Sequence, residues 1–239
     1  MRRTCRFAVL VVVLVVPLRA SQAAQLMLGK AVVDITPVPG TPMLTPQSRP
    51  FVKLAEPAHD PLCVRAVVIE LAGVKVAIAA CDLTSIPNAM FDEARQRIVT
   101  ATGISADAIM LSATHTHTAP QIRARFLGKV DDAARKKCLD YIDSLPGRIA
   151  EAVIAAHATL QQCRVSAAIG REDTISFNRR FVMKNGSVMT NPGKDDPTLH
   201  QQIARPAGPT DPEIGVVYFD SPDGHALATL VNFSLHLDT

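Results

Sequence analysis

Leu62-Cys-Val-Arg-Ala-Val-Val-Ile-Glu-Leu71, followed by Ala72-Gly73 and then Val74-Lys-Val-Ala-Ile-Ala-Ala-Cys-Asp-Leu83, is the stretch that decides the fold. Two apolar, β-branched runs of strand length stand two residues apart, which is the spacing of a tight hairpin. Just downstream, Pro87–Thr102 places Met90, Phe91, Ala94 and Ile98 at helical spacing and stops at Gly103. Ala108–Thr114 is then a short apolar strand that runs into Thr-His-Thr-His.

The pattern extends in both directions. Leu28–Ile35 alternates as a first strand, and the Pro-rich Thr36–Pro61 reads as a long surface loop placed to border a site. Asp131–Leu160 is one long helical pattern interrupted at Pro146-Gly147, which predicts two helices or one kinked helix. Cys163–Gly170 returns to strand. Arg180–Thr190 contains Asn185-Gly186, a two-residue hairpin turn, and Ile214–Phe219 and Ala226–His236 flank Pro222-Asp223-Gly224 as another hairpin. Strands alternate with helices early and run as hairpins late. The fold class is therefore α/β, a mixed β-sheet with packed helices.

Residues 1–23 form a separate unit. Arg2, Arg3 and Arg6 precede an apolar run from Phe7 to Leu18, and small residues follow at Ser21 and Ala23. A basic start, a short apolar core and a small-x-small exit make a secretory signal peptide. The run is well short of the roughly 20 residues a membrane-spanning helix needs. This places the mature chain, 24–239, outside the cytoplasm, secreted or periplasmic. Four of the 25 Lys and Arg lie in the leader, which holds none of the 22 Asp and Glu, so the mature part is balanced to within one charge. Nothing in that balance favours a nucleic-acid partner. Cys63, Cys81, Cys138 and Cys163 remain in a compartment that permits disulfides, and Cys138–Cys163 is the pair to test for a bridge.

The chemistry concentrates in Ser112-Ala-Thr-His115-Thr-His117-Thr-Ala-Pro120. Residues i and i+2 of an extended chain point to one side, so both imidazoles can face one point. Metal ligation or catalysis is one reading of such a pair, and two hydrogen-bonded structural histidines is the other. A further histidine, His236, ends the apolar run Val231-Asn-Phe-Ser-Leu-His236 and offers a nitrogen from a neighbouring strand. Asp82, at a strand end, is placed either to orient a histidine or to cap the helix that follows.

Taken together, Gly29-Lys-Ala-Val-Val-Asp-Ile-Thr-Pro37, Leu62-Cys-Val-Arg-Ala66, Ala80-Cys-Asp82, Ser112-Ala-Thr-His-Thr-His-Thr118 and Asn232-Phe-x-x-His236 resemble the N-terminal domain of the neutral/alkaline non-lysosomal ceramidases, in that family's order. The resemblance covers most of residues 28–239. It implies a ceramidase N-terminal-domain-like fold, a zinc ion (Zn2+) held by His115 and His236, and His117 contacting the substrate or its developing oxyanion. Asn178-Arg179 resembles the family's Asn-Arg pair, with Arg179 lining the site; an ordinary hairpin-edge arginine is the alternative. The implied activity is hydrolysis of an amide such as that of an N-acylsphingosine (ceramide)-type lipid, with access to substrate at a membrane surface. Thr118-Ala119-Pro120 departs from the family's Ser-Gly-Pro, and glycine there lets backbone approach closely. The family's glutamate and tyrosine zinc ligands and its reactive serine would lie past Thr239, so the sequence is expected to be part of a longer chain. A non-catalytic exported module that keeps the fold, a hydrolase of another amide or ester, and a metal-scavenging protein are the competing expectations.

Overall fold

The computed structural model describes residues 24–44, 53–123, 127, 130–194 and 196–236. The leader, 1–23, and Asp238 lie outside the described residues. The strands are β1 (Met27–Asp34), β2 (Cys63–Leu71), β3 (Val74–Cys81), β4 (Ile109–Ala113), β5 (Gln161–Gln162), β6 (Arg164–Arg171), β7 (Arg180–Met183), β8 (Val188–Thr190), β9 (Ile203–Pro206), β10 (Glu213–Asp220) and β11 (Ala226–Phe233). The two α-helices are α1 (Asn88–Thr102) and α2 (Asp132–Ala158).

The predicted hairpin organises the first sheet. Leu71 pairs with Val74, and Ala72 (φ 52°) and Gly73 (φ 81°) both take positive φ. Positive φ at both central positions gives the turn whose twist matches the flanking strands. The five-stranded sheet runs β4-β3-β2-β1-β5. β4 lies parallel to β3, whereas β1–β2 and β2–β3 are antiparallel, which makes the mixed sheet expected from sequence.

The alternation of β2 and β3 decides which face the helices cover. Val64, Ala66 and Val68 of β2 and Ala77, Ala79 and Cys81 of β3 are buried against Met90, Ala94 and Ile98 of α1. Leu145, Ile149, Val153 and Ala156 of α2 join the same cluster. α1 ends where the sequence says it should, with Gly103 in the left-handed conformation (φ 69°) and its N–H on the Val99 carbonyl at 3.0 Å. α2 starts on Asp131, whose carboxylate accepts the Ala134 N–H at 2.6 Å, and continues through Pro146 as one helix. Its buried stripe spans both sides of the proline, so packing on the sheet outweighs a local cost of about 3 kcal/mol. Gly29 lets α2 lie close on β1, because a Cβ there would stand 1.9 Å from the Ala156 carbonyl oxygen.

The late hairpins form two further sheets, β11-β10-β6 and β8-β7-β9. The first of them packs on the opposite face of the five-stranded sheet, where Leu28, Val67, Cys163 and Phe219 are buried together. The Asn185-Gly186 turn has three loop residues rather than two. Met183 N–H bonds the Ser187 carbonyl (2.8 Å), and Gly186, at φ 83°, donates back to Met183 (2.9 Å). The expected Cys138–Cys163 bridge does not form, and all four mature cysteines are buried free thiols. Cys138 sits on α2, its Sγ donating to the Gln121 carbonyl at 3.0 Å, while Cys163 packs between the sheets.

Candidate metal centre

His115 and His117 follow β4, at the carboxyl end of the parallel β3–β4 pair, which is where open α/β sheets place ligand sites. His236 was expected on strand β11; the strand ends at Phe233, and His236 stands three residues beyond it. The three rings meet there. Centroids are 5.1 Å apart for His115–His117, 4.9 Å for His115–His236 and 5.1 Å for His117–His236. One ring nitrogen from each lies within 4.8 Å of the other two.

The segment after β3 mounts His115. Thr114 N–H donates to the Cys81 carbonyl (2.9 Å) and His115 N–H to the Leu83 carbonyl (3.0 Å). The Thr84 hydroxyl donates to the Thr116 carbonyl at 3.1 Å. His115 itself has φ 62°, a left-handed conformation that costs an ordinary residue about 1–2 kcal/mol, so these bonds hold it against strain. Its Nδ1 lies 2.6 Å from the Thr84 carbonyl oxygen. A carbonyl only accepts, so Nδ1 carries the proton and Nε2 is the nitrogen left for a ligand.

Asp82 neither caps α1, whose N-cap is Pro87 without a side-chain bond, nor touches a histidine ring directly. Its Oδ2 accepts the Cys63 N–H (2.9 Å) and Arg65 Nη1 (2.6 Å), and its Oδ1 accepts the Thr114 hydroxyl (3.3 Å). The bond to Asp82 raises the Arg65 guanidinium further above its ordinary range. The carboxylate thus ties β2, β3 and the residue preceding His115 into one knot.

His117 Nε2 is buried and has no hydrogen-bond partner. An orphaned imidazole nitrogen facing two other histidines fits a cation in that space. Three imidazole nitrogens are a donor set that suits zinc among the divalent metals, and His115, His117 and His236 would be the residues to hold it. Arg179 stands one residue before β7, partly buried, its carbonyl accepting the Asn191 N–H at 2.8 Å. Among the described contacts none joins its guanidinium to a histidine. The departure at Ala119 is fully buried, and its carbonyl accepts the Leu44 N–H (2.9 Å) while Pro120 bridges Met43. The loop after β1 therefore does border the histidine segment. A cleft of about 320 Å³ between that loop and α2, lined by Asp34, Tyr141 and Arg148 among others, includes none of the three histidines. The sequence reading missed the Thr84 carbonyl and the left-handed His115, since backbone acceptors and φ leave no mark on residue type.

Fold and site together define an α/β protein whose sheets bring three imidazoles to one point able to hold a metal ion. Solved structures share this fold, two ceramidases among them. One is the neutral ceramidase from Pseudomonas aeruginosa, at a TM-score of 0.63 and 21% identity, over 88% of this chain and 32% of that one. The other is a ceramidase complexed with C2, at a TM-score of 0.61 and 20% identity, over 87% and 31% respectively. The chain spans about a third of the length of the solved chains it matches. No protein-family model and no curated protein matches it.

Proposed function

We propose that this chain carries the metal-binding part of an exported zinc-dependent hydrolase acting on an amide bond, with an N-acylsphingosine-type lipid as the substrate class. The observation that supports it most is the convergence of three imidazoles with His117 Nε2 buried and unpartnered. The ceramidase fold of the structural neighbours points the same way. His115 and His236 hold the metal in this reading. His117 faces the same point, placed to contact the substrate carbonyl or its developing oxyanion, and Arg179 adds positive charge to that anion. A bound zinc ion supplies Lewis acidity toward the carbonyl and a bound water that ionises near neutral pH. The leader in 1–23 supports export, and a lipid amide would be met at a membrane surface.

Metal content and hydrolysis, measured on the longest available chain, test this directly. Stoichiometric zinc that is lost in His115→Ala and His236→Ala, together with release of fatty acid from an N-acyl sphingoid lipid, is the expected result. Unchanged metal in either variant would remove the site.

A further inference from the structure

Asp82 stands beside the histidine segment with 17% of its side chain accessible, and its described side-chain contacts go to the frame rather than to a ring. Each contact constrains something different. The Cys63 N–H and Arg65 guanidinium fix the carboxylate against β2. The Thr114 hydroxyl then fixes the residue before His115. The backbone enters the left-handed region at His115, a conformation uncommon outside glycine even though histidine adopts it more often than most residues. Released from Asp82, Thr114 and His115 would relax toward the extended conformation that continues β4. That change swings the ring off the Thr84 carbonyl and frees its tautomer.

We propose that Asp82 is a positioning residue for the metal centre: through Thr114 it holds His115 in its left-handed conformation, with Nδ1 protonated on Thr84 and Nε2 turned to His117 and His236. The metal part of this statement rests on the function proposed above; the tautomer part does not. Groups one step removed from a metal typically change affinity about 10–100-fold when deleted.

Ring ¹⁵N NMR of the metal-free protein and zinc affinity by chelator competition test it together, on wild type, Asp82→Ala, Thr114→Val and the control Val153→Ala, on the buried face of α2. Wild type should show His115 as a single Nδ1–H tautomer. Asp82→Ala should average the tautomers and weaken zinc binding about 10–100-fold, and Thr114→Val, which removes only the hydroxyl contact, should move both readouts in the same direction. Val153→Ala, equally able to lower stability but buried on the helix-covered face, should move neither. A fixed His115 tautomer in both Asp82→Ala and Thr114→Val would overturn the proposal, and Thr114→Val decides it alone if Asp82→Ala does not fold. If wild type binds no zinc while the tautomer still responds to Asp82, the function proposed above fails and the positioning role stands.

Discussion

Gly29→Ala is a one-carbon change with a large expected cost. The added Cβ would stand 1.9 Å from the Ala156 carbonyl oxygen and 2.9 Å from its carbon, against an ordinary contact of 3.4 Å or more. Relief requires the end of α2 to move by about 1.5 Å, since both obstructing atoms are backbone and neither can rotate away. That movement also strains Thr159, whose hydroxyl accepts Lys30 N–H and donates to Lys30 O, both at 3.0 Å. Overpacking of this kind costs about 1–3 kcal/mol and two weakened hydrogen bonds about 1 kcal/mol each, offset by about 0.5–1 kcal/mol from replacing glycine in a strand. The net loss is about 3 kcal/mol. In urea, with a slope of about 2–3 kcal/mol/M, the unfolding midpoint should fall by about 1–1.5 M. Gly147→Ala supplies the opposite sign from the same chemistry. Its Cβ meets nothing nearer than an Arg97 nitrogen at 3.9 Å inside a helix, so stability should rise by about 0.5–1 kcal/mol. A Gly29→Ala midpoint within about 0.3 M of wild type would refute the argument that this glycine sets the helix–sheet distance.

Further outcomes follow from other positions. Ala72→Asn should stabilise by about 1 kcal/mol, because Ala72 sits at φ 52° in a turn that favours Asn-Gly; an unchanged urea midpoint would contradict the turn assignment. Burial pushes the Cys81 thiol from an ordinary 9.0 up to about 12. Above pH 9 the unfolded chain loses that proton and the folded one keeps it, so this contribution to stability falls as pH rises from about 9 to 12. Cys81→Ala should flatten that slope in urea titrations, and in the folded wild type Cys81 should resist alkylation. His117→Ala separates its two possible roles: retained zinc with lost turnover marks a substrate contact, and lost zinc marks a third ligand. Zinc at about 100 times its dissociation constant should add about 2.7 kcal/mol to the unfolding free energy, read as a raised thermal midpoint that His236→Ala abolishes.

Much of the architecture could be read because local chemistry and tertiary packing agree. Gly73, Gly103 and Gly224 each occupy a turn or cap whose positive φ requires the backbone freedom of glycine. Where the two disagree, packing wins. Pro146 leaves two helices or one kinked helix open, and α2 runs on as one because Leu145, Ile149 and Val153 share one buried face. The grouping of the late hairpins into separate sheets was not legible, since β10 is apolar along its length and periodicity does not say which strand it will pair with. At the site, the residue types of His115, His117 and His236 were visible, and their meeting was not. His236 reaches the others only because the chain leaves β11 at Phe233, before the strand that sequence extends to it.

The position of the triad follows from how the sheets are joined. The five-stranded sheet contributes His115 and His117 from the carboxyl end of its parallel pair, and the β11-β10-β6 sheet contributes His236. Away from that point, the contact between these two sheets has four buried residues among those described, Leu28, Val67, Cys163 and Phe219, with partly buried apolar residues such as Ile69, Val217 and Leu230 packed against them. The helix-covered face, by contrast, buries residues from α1, α2 and four strands. The less densely buried contact is therefore the one that carries the histidines. A metal bridging them would bind only when both sheets are in place, so its binding free energy would act on their docking. The strained His115 fits that arrangement. Its left-handed backbone is held by residues 81–84, at the end of the better-packed sheet, so His236 would complete the group only with the second sheet docked.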